Sequence, residues 1–495
     1  MRRIPRILSM LLAAIMVFMV FTGCSKEKDS STASDTSTTS AAPSTSDTES
    51  TKSDATTTES DAPDTITALV PPITPNFQNE IPNFVASFQK KYPNLTLTVE
   101  PASWEDMSQK LDIQVNAGSP PDIAFLGQAN GAISKYLSTE MLLDISKAVT
   151  QEILDDYDPK TLEYMKNGDG LYGLPFYMGV HSIGGNREFL EEAGIDWRSV
   201  QKNGWTFDEF REMVKKGVKK EGDTIKRYGF VYACSGVTAM DFLEMLAMNA
   251  GMPAPFDKDL KYAYTDPNFL EVLKFVRALI DDGSMPKESN TIDAGKRWNM
   301  MLTGQTMITG KGMPIFENSA KANNEKLDAN DPSAVKDSIH VDYIVLPAPT
   351  LGDNPQVAGG GVDGYLTFRQ GREVDEEHVK NVVKAAYHLS SGEVAAMAIN
   401  ELFLAQITKS GREASKNIKV DIDPDNLAMT EKLTSIVFEP RPDISAELGA
   451  KATKIREEVI KPKFQALLAN EITPEQMYDE VKKAAIAEFG EDGVR

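Results

Sequence analysis

An alternation of strand-like and helix-like segments near residue 65 constrains the fold more than any other feature of this sequence. Three short segments, "TITALV", "LTLTVEP" and "DIAFL", have the composition of β-strands. Between the first two, Ile81, Phe84, Val85 and Phe88 recur at the i, i+3, i+4, i+7 spacing of an amphipathic helix. A second helix precedes "DIAFL". Strand, helix, strand, helix, strand predicts a parallel sheet with crossover helices, an α/β fold.

The loops that follow these strands are the first place to expect a binding site. Ligands of parallel α/β sheets bind beyond the carboxyl ends of the strands, so loops 71–79, 101–105 and 127–131 are predicted to share one edge. Flat aromatic faces and planar polar side chains suit sugar rings and hydroxyls. Trp104 also begins an apolar helix stripe, so a core position stays open for it. The candidates on these loops are Asn76, Trp104, Glu105, Gln128 and Asn130.

Downstream, further strands and helices are expected as far as the C-terminus. "GLYGLPF" and "HSIGGNREFL" are interpreted as strands that leave the first lobe, and "VDGYLTF" as another strand, followed by helices from about 375 to 406. Thr206 and Glu209 have capping-box spacing at one helix start, as do Thr473 and Gln476 at another. The roughly 430 residues after the N-terminal segment exceed the size at which single cores stop growing, so two lobes are expected.

The glycines of "GGGVDGYLTF" raise the question of a nucleotide-dependent enzyme. Gly359, Gly361 and Gly364 satisfy G-x-G-x-x-G, but a dinucleotide turn follows a strand and opens a helix. Here the glycines lead into a predicted strand, which argues against nucleotide binding. We expect instead a flexible loop whose small residues let ligand or the opposing lobe approach the backbone.

Other chemical motifs fail on spacing or composition. "GQTMITGKG" is no P-loop, because five residues separate Gly304 from Gly310 and a glycine follows Lys311. "DIDPDN" lacks the glycine and final acid of a calcium loop and is expected to be a solvated acidic turn. Cys234 is expected to be a small buried hydrophobe. A net charge of -21 disfavours nucleic acid, and no cofactor or metal is predicted.

The N-terminus has the organisation of a secretory signal. Arg2, Arg3 and Arg6 precede an apolar run over 7–21 that is short for a membrane span. "FTGC" resembles a bacterial lipobox, which implies that Cys24 becomes the lipidated first residue of the mature protein. The following residues to position 64 include no Val, Ile, Leu or aromatic residue, and about half are Ser or Thr. Such a segment cannot offset the entropy of ordering and is predicted to be a disordered tether with a reach of roughly 35 Å.

Several stretches together resemble the extracellular solute-binding proteins of sugar ABC transporters, the maltose-binding-protein-like family. The stretches, in the family's order, are "FQKKYPNLTLTVEPASWEDMSQKLDIQVNAGSPPDIAFLG", "LYGLPFYMGVHSIGGNREFLEEAGI", "WTFDEF", "LTGQTMITGKG", "GGGVDGYLTF" and "ITPEQMYDEV". The resemblance implies a two-lobed periplasmic-binding-protein-like α/β fold with a hinge that the chain crosses more than once. It also implies ligand in the cleft between the lobes and delivery to a membrane permease powered by a separate ATPase.

The resemblance adds further expected ligand contacts and a division of the chain. Met313 and Gly179 stand where many relatives carry an aromatic and an acid, which argues against maltose itself. The added candidates are Tyr177, Tyr232, Asp241, Met313, Phe316, Asp363 and Tyr365. The expected division is 1–23 signal peptide, 24–64 lipid-anchored linker, 65–178 and 350–408 lobe 1, and 179–349 and 409–495 lobe 2.

The sequence therefore predicts a monomeric, lipid-anchored receptor without enzymatic activity, outside the cell or in the periplasm. Its predicted role is to capture a carbohydrate, an oligosaccharide, and deliver it to an ABC permease. One alternative is a cell-surface enzyme acting on polysaccharides. A second is an adhesion or ligand-sensing lipoprotein.

Overall fold

The computed structural model describes residues 62–371, 375–438, 441 and 443–495. The predicted signal peptide and Cys24 lie outside the described residues, as does the predicted tether up to residue 61. No helix of the described part is both long enough and apolar enough to cross a bilayer.

The described residues form strands and helices that alternate over most of the chain. The strands are β1 Asp64–Val70, β2 Leu95–Pro101, β3 Ile123–Leu126, β4 Lys166–Asn167, β5 Gly170–Leu171, β6 Gly173–Asn186, β7 Lys219–Glu221, β8 Thr224–Tyr232, β9 Thr306–Gly312, β10 Tyr343–Leu346 and β11 Gly359–Thr367. The helices are α1 Phe77–Lys91, α2 Trp104–Asn116, α3 Ala129–Leu137, α4 Gln151–Asp156, α5 Pro159–Glu163, α6 Arg187–Glu192, α7 Trp197–Asn203, α8 Phe207–Lys216, α9 Asp241–Met248, α10 Pro267–Asp281, α11 Ala294–Leu302, α12 Ile315–Asp328, α13 Glu376–Ser390, α14 Gly392–Glu401, α15 Lys409–Ser415, α16 Pro424–Thr434, α17 Ala446–Ile455, α18 Lys461–Leu468 and α19 Pro474–Phe489.

The predicted parallel unit is confirmed. β1 pairs in parallel with β2 on one side and with β3 on the other. On α1, the helix between β1 and β2, Phe84 and Phe88 are buried, as expected for two residues of one apolar helix face. The capping box of Thr206 and Glu209 also forms at the start of α8.

One long strand, β6, connects the two halves of the molecule. It spans 14 residues and pairs with β11 along its first part and with β9 and β10 along its second. The sequence led us to expect two separate strands here, which is wrong. Nearly all of β6 is buried, so the polar alternation that would have marked one continuous strand is missing.

Two large hydrophobic clusters lie on either side of the region where β6 and β11 run together. The first is built mainly from residues 66–177 and 362–407, and the second from 183–348 and 452–485. A smaller cluster includes Val180, Val345 and Leu433. The chain thus passes between the clusters along β6, again along β11, and a third time after α15. This is the two-lobed α/β architecture with a hinge crossed more than once.

The glycine-rich stretch is not a loop. Gly359 to Gly364 all lie in β11, antiparallel to β6, so the expected flexible loop is wrong. Gly360 and Gly361 have φ angles of 141° and 131°, and a Cβ at Gly360 would clash with the carbonyl oxygen of Gly179. We call β6 and β11 the hinge strands. The glycines allow these two strands to approach closely, where side chains would separate them.

The acidic turn "DIDPDN" is not merely solvated, as the sequence suggested. Asp423 caps α16 and forms an ion pair of 2.6 Å with Arg187, which is only 20% exposed. Asn426 is fully buried. The turn therefore fixes α16 against α6 in the second lobe.

Candidate functional site

The candidate site lies where β11 and β6 run side by side, with Asp363 at its centre. The Asp363 carboxylate accepts a hydrogen bond of 2.7 Å from the backbone N–H of Gln128, which has a left-handed φ of 51°. It also accepts a hydrogen bond from the Tyr177 hydroxyl, directly across the ladder. Burial raises the pKa of Asp363 above its usual value, and these two donors oppose that effect.

Lys311 at the end of β9 brings a positive charge to this place. Its Nζ lies 3.0 Å from a carboxylate oxygen of Asp241, and the side chains are 21% and 16% exposed. The charge of Lys311 lowers the pKa of Asp363. Burial lowers the pKa of His181 on β6 well below its usual value, and Lys311 lowers it further. Asp241 of the second lobe and one group on each hinge strand, Asp363 and His181, therefore lie within electrostatic reach of one ammonium group.

Sequence reasoning missed Lys311 and His181 as members of this constellation. Lys311 was considered only as part of a failed P-loop. Its flanking glycines have a packing reason, since a Cβ at Gly310 would meet the Tyr232 ring and one at Gly312 would lie 2.7 Å from the backbone of Ile183. A lone lysine between two glycines in a buried strand was the available signal.

The aromatic side chains differ in what they offer to a ligand. Trp104 is 37% exposed, its Nε1 donates to the carbonyl of Pro72 at 2.9 Å, and its ring meets the edge of Phe125. It is therefore held in place and yet accessible at the edge of the first lobe. Tyr177 is only 2% exposed and packs against Phe125 and Phe176. Its hydroxyl donates to the Asp363 carboxylate.

Tyr365 and Tyr232 do not occupy the accessible positions that the sequence led us to expect. Tyr365 is fully buried in the first cluster between Phe125 and Phe176. Tyr232 is 1% exposed and stacks on Phe242 in the second cluster. The register of β11 against β6 shifts between Asp363 and Gly364, which interrupts the two-residue alternation of the strand. The side chain of Tyr365 therefore does not share the surroundings of Asp363.

Two further predicted residues have partners within the protein. Asn76 at the start of α1 donates to a carboxylate oxygen of Glu401 at 2.8 Å. Phe316 packs against Trp298 with ring centroids 4.7 Å apart. Each of these side chains has a structural role in the described molecule.

The remaining predicted residues are less informative. Asn130 and Met313 are half-buried, and the side chain of Glu105 lies outside what the structure describes. The predicted ligand contacts themselves, for every residue named, stay predictions.

Two cavities among the described residues do not coincide with this site. One, of about 690 Å³, lies beside Tyr228, Pro286 and Met300, and another, of about 160 Å³, beside Glu317 and Asp423. Neither is lined by a residue predicted from the sequence. Within the described residues, no cluster of three or more His, Cys, Asp or Glu side chains could hold a metal.

The two lobes are in contact beside the candidate site. α3 of the first lobe lies against α17 of the second, and α2 lies near the 3₁₀ turn at Gly236–Thr238. Asp363 and Lys311 themselves are half-buried.

Comparison with known proteins gives one family and a consistent fold. The family model described as bacterial extracellular solute-binding protein matches residues 71–386. A binding protein of Brucella abortus is 24% identical over 201 residues, which are 40% of this chain and 45% of that protein. The arabinooligosaccharide-binding protein of Halalkalibacterium halodurans is 24% identical over 200 residues, 40% of this chain and 42% of its own length. The matches to these curated relatives thus span less than half of each relative.

Solved structures match over nearly their whole length. Maltose-bound MalE3 of Thermotoga maritima superimposes with a TM-score of 0.66 at 17% identity, covering 85% of this chain and 99% of that one. An ABC substrate-binding protein of Listeria monocytogenes in complex with cycloalternan gives 0.65 at 17% identity, covering 86% and 99%. At these identities the likeness shows the fold.

Proposed function

The chain belongs to the bacterial extracellular solute-binding proteins, and on that premise we propose that it captures a carbohydrate, an oligosaccharide, between its two lobes. The proposed site is the one around Asp363 and Lys311, with Trp104 at its edge. The protein then delivers the sugar to the permease of an ABC importer whose ATPase is a separate chain.

The observation that carries this proposal is the meeting of charged groups from the second lobe and from a hinge strand. Asp363 belongs to a hinge strand, whereas Lys311 and Asp241 belong to the second lobe. Carboxylate and ammonium groups bind sugar hydroxyls with charge-assisted hydrogen bonds, and the indole of Trp104 is suited to a pyranose C–H face. The names of similar proteins, which mention maltose, cycloalternan and arabinooligosaccharide, favour an oligosaccharide.

A ligand that contacts both lobes favours the closed arrangement over an open one. Micromolar affinity corresponds to roughly -8 kcal/mol. A few charge-assisted hydrogen bonds and one aromatic stacking contact together can supply a binding free energy of this magnitude.

The same proposal includes the protein's location. A lipid on Cys24 anchors a monomer to the outer side of the cell membrane or in the periplasm, and residues 24–64 act as the linker. The chain acts without enzymatic activity and without a cofactor. The other two functions that the sequence leaves open are a polysaccharide-acting enzyme and an adhesion or ligand-sensing lipoprotein.

Native mass spectrometry of the purified protein identifies any retained sugar, and calorimetric titration then measures its affinity. We expect Asp363→Asn to weaken binding by about 1.5–3 kcal/mol, tenfold or more, because a charged acceptor is lost while the side-chain shape is kept. Asp208→Asn, which makes the same change at an exposed position of α8, is the control and should bind normally.

Unchanged affinity for Asp363→Asn, together with a lower melting temperature of the ligand-free variant, would mean that Asp363 is structural and that the site is misplaced. Release of product from glycans during incubation would favour the enzyme alternative.

A further inference from the structure

His181 on β6 is a half-buried histidine whose ring has no hydrogen-bond partner among the described residues. Burial and the nearby charge of Lys311 lower its pKa well below the usual value, and no hydrogen bond opposes them. The ring is therefore neutral at neutral pH, with one N–H donor and one bare nitrogen acceptor. Polar groups inside folded proteins are almost always hydrogen-bonded, so a ring without a partner is an exception.

The other three histidines of the chain each have an acceptor. His340 lies 3.2 Å from a carboxylate oxygen, His388 lies 2.8 Å from a backbone carbonyl oxygen, and His378 faces two carboxylates. All four histidines of the sequence are among the described residues. His181 therefore departs from the pattern that the rest of the chain follows.

The His181 side chain lies on the face of the hinge strands that carries the candidate site. Side chains alternate between the two faces of a strand, and residues paired across a ladder share a face. The opposite face bears Val180 and Val362, which are buried in hydrophobic clusters. The pairs on the polar face are, in order, His181 with Gly359, Gly179 with Gly361, and Tyr177 with Asp363.

Three glycines on this face leave space beside the imidazole. We call Gly179, Gly359 and Gly361 the glycine floor. A Cβ placed on any of them would have its nearest neighbour 3.5–3.6 Å away, an ordinary van der Waals distance. At Gly360, by contrast, a Cβ would lie 2.2 Å from a backbone oxygen. Packing therefore requires glycine at Gly360 but leaves room for a further atom above the floor.

Backbone conformation does not account for the whole floor either. Gly361 has a φ of 131°, which favours glycine, but Gly179 and Gly359 have no left-handed φ. Four residues of extended strand, about 13 Å, separate His181 from Tyr177. That distance is longer than one pyranose ring, so a sugar on the floor can reach the polar groups at either end.

We propose that His181 is a ligand-binding residue, and that its neutral ring exchanges hydrogen bonds with a hydroxyl of a sugar that lies on the glycine floor. The inference rests on the proposed carbohydrate function and adds a residue that selects among sugars. A hydroxyl suits this ring because it can accept from the N–H and can also donate to the bare nitrogen.

The test uses the full-length protein, stripped of any retained ligand and labelled with ¹⁵N in its histidine rings, and a panel of malto-, arabino- and xylo-oligosaccharides. We expect the tightest binder of the panel to shift the ring ¹⁵N resonances of His181, which are assigned from their absence in His181→Gln. The resonances of His340 should not move. In calorimetric titration His181→Ala should weaken binding of that sugar at least about tenfold. His181→Gln keeps a planar donor and acceptor and should bind more tightly than His181→Ala.

A second variant tests the floor without touching the imidazole. Gly179→Ala should weaken binding at least about fivefold without lowering the melting temperature of the ligand-free protein, because the new methyl fits the protein but occupies the floor. The matched controls are His340→Ala, at an exposed histidine, and Gly295→Ala, where the nearest neighbour of a Cβ is 3.6 Å away. Both should bind normally.

Each other outcome has a definite meaning. Binding of no member of the panel overturns the proposed function and the inference with it. A sugar that binds without moving the His181 resonances, and that binds His181→Ala normally, overturns the inference and leaves the proposed function standing. Equal losses of affinity in His181→Ala and His181→Gln, with unmoved wild-type resonances and a lower melting temperature, make His181 structural and overturn the inference. If His181→Ala does not fold, the wild-type resonances and Gly179→Ala still decide.

Discussion

The hydroxyl of Tyr365 is buried and has no hydrogen-bond partner among the described residues. An unsatisfied buried polar group costs about 1–3 kcal/mol. Its ring, by contrast, packs against Phe125 and Phe176 at centroid distances of 5.3 and 5.4 Å. Stability should therefore depend on the ring and not on the hydroxyl.

We predict that Tyr365→Phe leaves the free energy of unfolding unchanged or raises it by up to about 1 kcal/mol, because an unpaired hydroxyl is removed. Tyr365→Ala should lower it by about 3–5 kcal/mol, through loss of core packing. Denaturant unfolding of the ligand-free proteins measures both. A clear loss of ligand affinity in Tyr365→Phe would show that the hydroxyl serves the ligand after all.

At the scale of single residues, the sequence identified chemical type better than position. Gln128 and Asp363 were both candidates, but their hydrogen bond joins residues 235 positions apart, a pairing that no local pattern contains. Tyr177 and Tyr365 were equally plausible because strand periodicity alone does not separate two aromatic residues whose strands are buried on both faces. Lys311 was missed because its importance comes from groups on three other elements.

Among the elements, the first strands and helices could be predicted because their signals are local. The helix at Phe77–Lys91 has its own apolar stripe, and the turns on either side of it contain prolines. The hinge strands could not be predicted in the same way. β6 is almost wholly buried and β11 begins with three glycines, so neither shows alternation.

The pairing of the hinge strands gives a prediction with a built-in control. Gly360→Ala should lower the free energy of unfolding by at least about 1–3 kcal/mol, because its φ of 141° is strained for alanine and the new methyl would clash with Gly179. Gly359→Ala, with its nearest neighbour 3.6 Å away, should change stability by less than about 1 kcal/mol. Equal effects in the two variants would contradict the observed register.

An ion-pair cluster joins three elements of the first lobe. His378 near the start of α13 places Nε2 3.2 Å from Asp122, just before β3, and Nδ1 2.8 Å from Asp64, in β1. Both ring nitrogens face carboxylates, an arrangement that only the doubly protonated ring satisfies. The hydrogen bond to Asp122 and then that to Asp64 raise the pKa of His378 to about 9, against the effect of burial.

Because this folded-state pKa lies above the unfolded value of about 6.5, the contribution of His378 is complete below pH 6.5. It is lost as the pH rises through 9. We predict that wild type is more stable than His378→Gln by up to about 3 kcal/mol near pH 6, and that the difference largely disappears by pH 10. Denaturant unfolding at several pH values measures it.

His388 is the matched control for this pH dependence, because burial lowers its pKa. The stability difference between wild type and His388→Gln should not change above pH 7. A difference for His378→Gln that stays constant from pH 6 to 10 would contradict the proposed charge on its ring.

For the whole molecule, chain length predicted two lobes and the ordered set of motifs predicted the family. The exact lobe boundaries, at 178/179, 349/350 and 408/409, stay predictions. They are difficult to derive from sequence because two of the three crossings occur along continuous strands, β6 and β11, where composition does not change. The separation of the lobes depends on tertiary packing. It is visible in the two hydrophobic clusters, and the order of residues along the chain does not show it.

The last prediction concerns the attachment of the whole molecule to a membrane. Residues 25–61 contain nothing to bury, so ligand capture should not depend on what happens at Cys24. Cys24→Ser removes the proposed lipid site, and we expect the protein to move from the membrane fraction to the soluble fraction with unchanged affinity for its sugar. Cys234→Ser is the control, since Cys234 is the only other cysteine, is fully buried and lies in the second lobe. That variant should stay with the membrane, because its thiol has no access to a lipid. Fractionation of cells followed by calorimetry tests both properties, and retention of Cys24→Ser in the membrane fraction would exclude Cys24 as the anchor.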